Sequence, residues 1–194
     1  MSALPKPKYT LEEYLELDHR SEERLEFWDG EIYAMSGGSL RHDDIIINLI
    51  SLLKNRLPNG HRCRVSGTEA RIKAPASPSP YHYADASVTC GDREVELLGK
   101  QELLANPVLI IEVLSPTSEA FDRGDKFTFY KSIQSFREYL LVAQHRPHVT
   151  HFFKTDAGEW KYEEFNGLVD TVELTTVGIS LTLNEIYEGI SFGG

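Results

Sequence analysis

Residues 108–131 read VLIIEVLSPTSEAFDRGDKFTFYK. The first seven, Val108 to Leu114, are apolar and largely β-branched except for Glu112, the composition of a strand buried on both faces. An ionised carboxylate inside such a strand is costly unless a cation or several donors receive it. Glu112 therefore needs a partner. Ser115-Pro116 ends the strand, and a helix capped by Thr117 or Ser118 comes after it. On a helical wheel Asp122, Lys126, Phe129 and Ile133 share one stripe, so the Lys126 ammonium lies on the apolar side that packs on the sheet and points towards Glu112.

Upstream, Tyr83-Ala-Asp-Ala-Ser-Val-Thr-Cys90 reads as a second core strand whose only charge is Asp85. Earlier still, RLEFWDGEIYAM has Asp29-Gly30 between two strand-like runs, a hairpin signal that sets Trp28 opposite Glu31 and Glu26 opposite Tyr33. Thr10-Leu-Glu-Glu13 is a capping box ahead of a short helix with Leu11, Tyr14, Leu15 and Leu17 on its apolar side. Gly37-Gly38 breaks the hairpin's second strand, and Ser39 caps a helix over 40–57 that carries Ile46, Leu49, Ile50, Leu53 and Leu57 on one face. His42 lies close to that face, as an ordinary core-edge histidine with a backbone partner or as a contact to a substrate or to the groups around a functional centre. Pro58-Asn59-Gly60 ends the helix.

CRVSG and EARIK read as two strands around a turn near Gly67. As a hairpin they would merge Arg62 and Arg64 with Arg71 and Lys73 into one basic patch able to hold phosphates; the alternative is a solvated strand face. Residues 74–80 form a Pro/Ser loop, and 91–107 look like an irregular excursion. EYLLVA (138–143), VTHFFK (149–154) and EWKYEEF (159–165) read as consecutive antiparallel strands; GISLTL then adds a last strand, and NEIYEGI a short helix capped by Asn184. His145, His148 and His151 mimic metal-ligand spacing, but a turn and strand there would send 148 and 151 to opposite faces. Phe152, Trp160, Tyr162 and Phe165 fit a strand core better than a dimer surface.

At 194 residues, 41% hydrophobic and 26% charged, the chain suits a single domain with a full core. No apolar run reaches the roughly 20 residues of a membrane helix, and MSALPKPKYT lacks a signal region, so a cytoplasmic protein is expected. Cys63 and Cys90 lack metal spacing and read as buried free thiols. The net charge of −10 argues against broad electrostatic capture of nucleic acid, so any such site must be local.

Asp85 and Glu112 are lone carboxylates on two core strands, and Glu26 sits on the preceding hairpin. Brought together they would raise one another's pKa unless a hard cation bound them, and oxygen ligands of this kind suit Mg²⁺ or Mn²⁺. One such ion and the Lys126 ammonium would balance three carboxylates. The residues alone equally allow a plain reading in which Glu112 meets an arginine and Asp122 with Lys126 is an exposed pair worth about 0.3 kcal/mol.

At these residues the sequence resembles the PD-(D/E)XK nuclease superfamily, and within it the Uma-two family of restriction-endonuclease-like proteins. The resemblance is carried by LEFWDGEIYAMSGG, His42, YADASVTC, VLIIEVLSPTSEAFDRGDKFTFY and EYLLV. It implies an α/β (α+β mixed) restriction-endonuclease-like sandwich, a central mixed sheet flanked by helices with extra antiparallel strands. It also implies Asp85, Glu112 and the Val113 carbonyl as ligands of Mg²⁺ or Mn²⁺, with Glu26 reaching the same ion directly or through water. Ala84 replaces the proline common before the aspartate, and Leu114 fills the usual lysine slot, which makes Lys126 the stand-in, oriented by Asp122. The reaction implied is metal-assisted phosphodiester hydrolysis; nucleic acid is the expected substrate, DNA ahead of RNA, and a homodimer is expected because cutting two antiparallel strands suits a two-fold assembly. A non-catalytic binding module and a hydrolase of a small phosphorylated molecule are the rival readings, favoured by the acidic charge.

Overall fold

Strand β9 (Leu109–Leu114) is buried along its whole length, and so is its parallel neighbour β10 (Glu138–Ala143). The computed structural model describes residues 8–23, 25–34, 38–58 and 62–192. Gly37 of the expected strand break and Asn59-Gly60 of the helix stop lie outside the described residues. Around the two buried strands a six-stranded mixed sheet runs in the order β12-β11-β10-β9-β6-β3, with β3 at Cys63–Ser66, β6 at Ala86–Cys90, β11 at Val149–Lys154 and β12 at Trp160–Phe165.

Side chains alternate across a strand, so Leu109, Ile111 and Val113 point to one face of the sheet, and Ile110, Glu112 and Leu114 to the other. The first set joins Ile45, Ile46, Leu49 and Leu53 of helix α2 (Leu40–Arg56), together with the hairpin β13 (Thr171–Leu174) and β14 (Ile179–Thr182). The second packs on Phe127, Tyr130, Ile133 and Phe136, which belong to the segment after β9. The sheet is thus the middle layer of an α/β sandwich, and Glu112 faces the layer that carries Lys126.

That layer begins with a helix in three pieces: Glu119–Phe121 α-helical, Asp122–Lys126 a π turn, and Phe127–Tyr130 α-helical again. The π turn rotates the last of these pieces about the axis, so Phe127 and Tyr130 are buried while Phe129 is only partly so, and Ile133 lies past the helix end. The expected stripe is thereby corrected after Lys126. Ser118 occupies the N-cap position, but its side chain makes no capping bond; the Ser115 hydroxyl accepts the Ser118 N–H at 3.1 Å.

The hairpin β1 (Leu25–Trp28) and β2 (Glu31–Ala34) forms with the expected register, Glu26 opposite Tyr33 and Trp28 opposite Glu31. Its turn places Asp29 at φ 42° and Gly30 at φ 84°, the left-handed pair a tight two-residue hairpin requires. Leu25, Phe27 and Ile32 pack beneath it against Tyr14 of helix α1 (Leu11–Arg20), whose Thr10/Glu13 capping box is present.

Several expectations give way. CRVSG and EARIK do not form a hairpin: β3 pairs with β6, whereas β4 (Arg71–Ile72) joins a separate four-stranded sheet in the order β5-β4-β8-β7. Residues 91–107 hold the hairpin of that sheet, β7 (Val95–Leu98) and β8 (Gln101–Leu104), and β5 (His82–Tyr83) lies at its other edge. Cys63 and Cys90 sit directly opposite each other in the β3/β6 ladder and are joined as a disulfide, so they are not free thiols. The C-terminal helix Leu183–Ile186 is capped by Thr182 in a capping box with Glu185, two residues before Asn184, which lies inside the helix. Of the aromatic set, Phe152, Trp160 and Phe165 pack on the core, while Tyr162 is 62% exposed. Among the described residues no helix is long and apolar enough to cross a membrane.

Candidate active site

Strands β6 and β9 pair only as far as Ala86 opposite Ile111, and there the chain of β6 turns away. Beyond that point the backbone of Val113 has no strand partner on this side, and side chains take its place. Asp85 Oδ2 accepts the Val113 N–H at 2.7 Å, and His42 Nε2 lies 2.9 Å from the Val113 carbonyl oxygen. A carbonyl can only accept, so that ring nitrogen carries the proton. The same nitrogen is 3.5 Å from Asp85 Oδ2. His42 does have a backbone partner, as the plainer expectation held, and that partner is the carbonyl beside Glu112. Gly38 leaves room for the ring, because a Cβ there would stand 2.7 Å from His42 Nδ1.

On the opposite face of β9, Glu112 Oε1 lies 2.9 Å from Lys126 Nζ and accepts the Tyr130 hydroxyl at 3.2 Å. Lys126 also meets Asp122 Oδ1 at 3.3 Å. All three charged side chains are about nineteen-twentieths buried. Burial works against the Lys126 ammonium, but Glu112, Asp122 and Glu26 more than offset it and hold its pKa above the ordinary lysine value. Glu112 is pushed well up by burial, with Lys126 pulling it down and Asp122 and Asp85 pushing it further up. Asp85 is raised by burial too, against the pull of His42 and the Val113 N–H.

These groups line one cavity of about 680 Å³ that contains Glu26, His42, Asp85, Glu112, Val113, Asp122 and Lys126. The structure therefore brings together every residue expected at the centre. Glu26 comes from the β1/β2 hairpin, and its carboxylate accepts a long 3.4 Å bond from the Tyr83 N–H. Among the described residues lining the cavity, four carboxylates face one ammonium and two imidazoles, those of His42 and His82.

The basic patch that a CRVSG/EARIK hairpin would have made is not assembled, because β3 and β4 belong to different sheets. Arg62 pairs with Asp92 at the surface, Arg64 is exposed on the edge strand β3, and Arg71 lies over the Tyr81 and Tyr83 rings of the other sheet, 5.4 Å from each centroid. Lys73 comes directly after β4 in that second sheet. His148 and His151 are buried apart from the site, His148 against Asn166 and Thr150 and His151 beside Glu138.

Sequence reasoning missed Tyr130, one turn beyond Lys126 on the same helix; an i, i+4 search from the lysine would have found it. It also missed His82, which is buried in the cavity wall, stacked on Phe129 and bonded to the Ser77 hydroxyl at 2.8 Å. Burial, with Lys126 adding to it, drives His82 down to about 3, so the ring is neutral.

The donor set fits a hard divalent ion. Asp85 Oδ1 and Glu112 Oε2 have no bonding partner among the described residues, and both carboxylates line the cavity beside the Val113 carbonyl. No three His, Cys, Asp or Glu side chains among the described residues form a ready-made metal array. Mg²⁺ does not need one, because it is usually held by one or two carboxylates with water and substrate oxygens completing its shell.

A family model described as "Putative restriction endonuclease", named Uma2, matches residues 11–184. Two relatives from Synechocystis sp. (strain PCC 6803) bear the names uncharacterized protein slr1290 and uncharacterized protein sll1609. The first is 36% identical over 188 residues, covering 97% of this chain and 96% of the relative, and the second is 31% identical over 170 residues, covering 88% and 94%. Among solved structures, one described as a putative nuclease belonging to DUF820, from Anabaena variabilis ATCC 29413, superposes with a TM-score of 0.69 at 18% identity. The match covers 91% of this chain and 96% of the other, and at that identity it speaks to the fold.

Proposed function

Because the chain belongs to the Uma2 family of restriction-endonuclease-like proteins, we propose that its cavity hydrolyses phosphodiester bonds in nucleic acid, DNA in preference to RNA, with Mg²⁺ or Mn²⁺. The observation that carries this reading is the convergence of Asp85 and Glu112, each with one unengaged oxygen, beside the buried Lys126. Asp85, Glu112 and the Val113 carbonyl would hold the ion, with Glu26 reaching it from the hairpin. Once bound, the ion supplies Lewis-acid polarisation of a phosphoryl oxygen and neutralises its charge.

The chain's own residues prepare the rest. An ammonium has three N–H donors; Glu112 and Asp122 engage two of those on Lys126, which leaves one for a phosphate oxygen or for the attacking water. Because Glu112, Asp122 and the Tyr130 hydroxyl fix these groups in a buried setting, little reorganisation is needed when charge develops on the phosphate. His42 holds the Val113 carbonyl in place and stands by Asp85, where it can stabilise negative charge or shift with substrate.

The test is thermal melting with and without metal, beside a cleavage assay on plasmid, oligonucleotide and RNA. At a concentration about 100-fold above Kd, Mg²⁺ should stabilise the fold by ~2.7 kcal/mol, a rise of about 5–10 °C in Tm for a chain of this size. Identical melts with and without Mg²⁺ and Mn²⁺ would remove the metal and the hydrolase with it. Metal stabilisation without cleavage of any polymer would move the reading to a small phosphorylated substrate, which the scarcity of cations around the cavity favours.

A further inference from the structure

The β1/β2 register puts Glu26, Trp28, Glu31 and Tyr33 on one face of the hairpin, because residues two apart and residues directly opposite share a face. The other face is spent on the core with Leu25, Phe27 and Ile32. The hairpin thus offers the cavity a carboxylate flanked by two aromatic rings. Trp28 packs edge-on against Phe121, with ring centroids 5.0 Å apart, and both line the cavity wall. Tyr33 lines it as well, is 48% exposed, and has its hydroxyl tethered to Glu31 Oε2 at 2.8 Å. An exposed, tethered ring at the edge of a site is a ready platform for a flat partner.

Charge says what kind of partner. Duplex capture rests on neutralising many phosphates, yet among the described residues lining the cavity Lys126 is the only lysine or arginine, and it is committed to Glu112 and Asp122. The described lining of the cavity can thus serve about one phosphate. Base stacking is the sequence-tolerant contact that remains, and it requires a base free of its pair. A cavity of about 680 Å³ also falls among those that enclose a small-molecule-sized ligand.

We propose that the cavity takes a single unpaired nucleotide, its base against Tyr33 and the Trp28 wall and its phosphate at Lys126, so that the substrate is single-stranded or frayed nucleic acid and not continuous duplex. This rests on the hydrolytic reading above for the reaction, while the binding claim stands on the hairpin itself.

The sequence has two tryptophans, and Trp160 packs on Phe127 and Phe136 away from the cavity, so Trp160→Phe leaves Trp28 as the sole reporter. This protein is titrated in Ca²⁺ with an oligothymidylate and, separately, with a blunt duplex of equal length, monitoring Trp28 emission and the anisotropy of labelled strands. The single strand should quench Trp28 and bind at least about tenfold more tightly than the duplex; Tyr33→Ala should weaken it by about five- to a hundredfold, and Tyr33→Phe should retain it. Equal affinity for the duplex, absence of quenching, or an unchanged affinity in Tyr33→Ala overturns the proposal. Repeating the titrations in Mg²⁺ reads cleavage separately: quenching and single-strand preference without cleavage uphold the nucleotide site and remove the hydrolytic reading, whereas cleavage of duplex as fast as single strand overturns the proposal and leaves the hydrolytic reading standing.

Discussion

Asp85 is bonded to the strand whose carboxylate it accompanies: its Oδ2 accepts the Val113 N–H at 2.7 Å, at the point where the β6/β9 ladder stops. One oxygen thus substitutes for a strand, and the other is left for the cavity.

The two roles separate by substitution. Asp85→Asn keeps an oxygen for the Val113 N–H and removes the charge, so it should fold normally and lose stabilisation by Mg²⁺. Asp85→Ala leaves a buried donor unpaired and should cost a further ~1–3 kcal/mol in urea unfolding. Equal stability of the two variants would show that the bond to Val113 carries little.

Lys126→Met leaves Glu112 and Asp122 buried without a cation and should destabilise the metal-free protein by about 3–5 kcal/mol. Glu112→Gln removes one of the crowded acids while Lys126 keeps Asp122, so its metal-free stability should be unchanged or higher, and its response to Mg²⁺ should vanish. Chemical denaturation of both variants decides; the opposite order would mean the carboxylates are not in excess.

Range along the chain separates the legible features from the illegible ones. Glu112, Asp85, Glu26, Asp122 and Lys126 stood out because each is a charge in an apolar or turn-defined setting, and the hairpin register came from Asp29-Gly30 alone. Pairing at a distance was not legible. Nothing local to CRVSG shows that β3 turns to β6 and β4 to a second sheet, and without that pairing neither the separation of the arginines nor the meeting of Cys63 with Cys90 could be read. The β7/β8 hairpin escaped because VELL and QELL lack β-branched alternation. His82 escaped because its burial comes from aromatic rings elsewhere in the chain.

His82 should govern part of the acid sensitivity. Its pKa is lowered from 6.5 to about 3 by burial and then by Lys126, so its stabilising contribution is complete above pH 6.5 and is lost as pH falls towards 3. Urea unfolding of wild type and His82→Phe in metal-free buffer should show the wild type losing about 1.4 kcal/mol more than the variant for each pH unit below 6.5. Parallel profiles would mean that the ring is protonated in the fold.

Cys63 and Cys90 are 27 residues apart and clip the edge strand β3 to β6, so the bond limits a loop of that length in the unfolded chain. Replacing both with serine should cost about 2–4 kcal/mol, and reductant should lower the wild-type urea midpoint without affecting the variant. Insensitivity to reductant would show that the bond is not formed in solution.

The π turn at Asp122–Lys126 has a genealogical reading. Such a turn amounts to one residue added to an α-helix, and each residue of an α-helix advances about 100° around the axis. Removing a single position, with the exposed Gly124 the least encumbered, would restore an even helix and swing either the ammonium or the aromatic anchors Phe127 and Tyr130 off the sheet. Along any line of descent the count of residues from Asp122 to Tyr130 is therefore constrained, because one helix has to aim at both a carboxylate and a core.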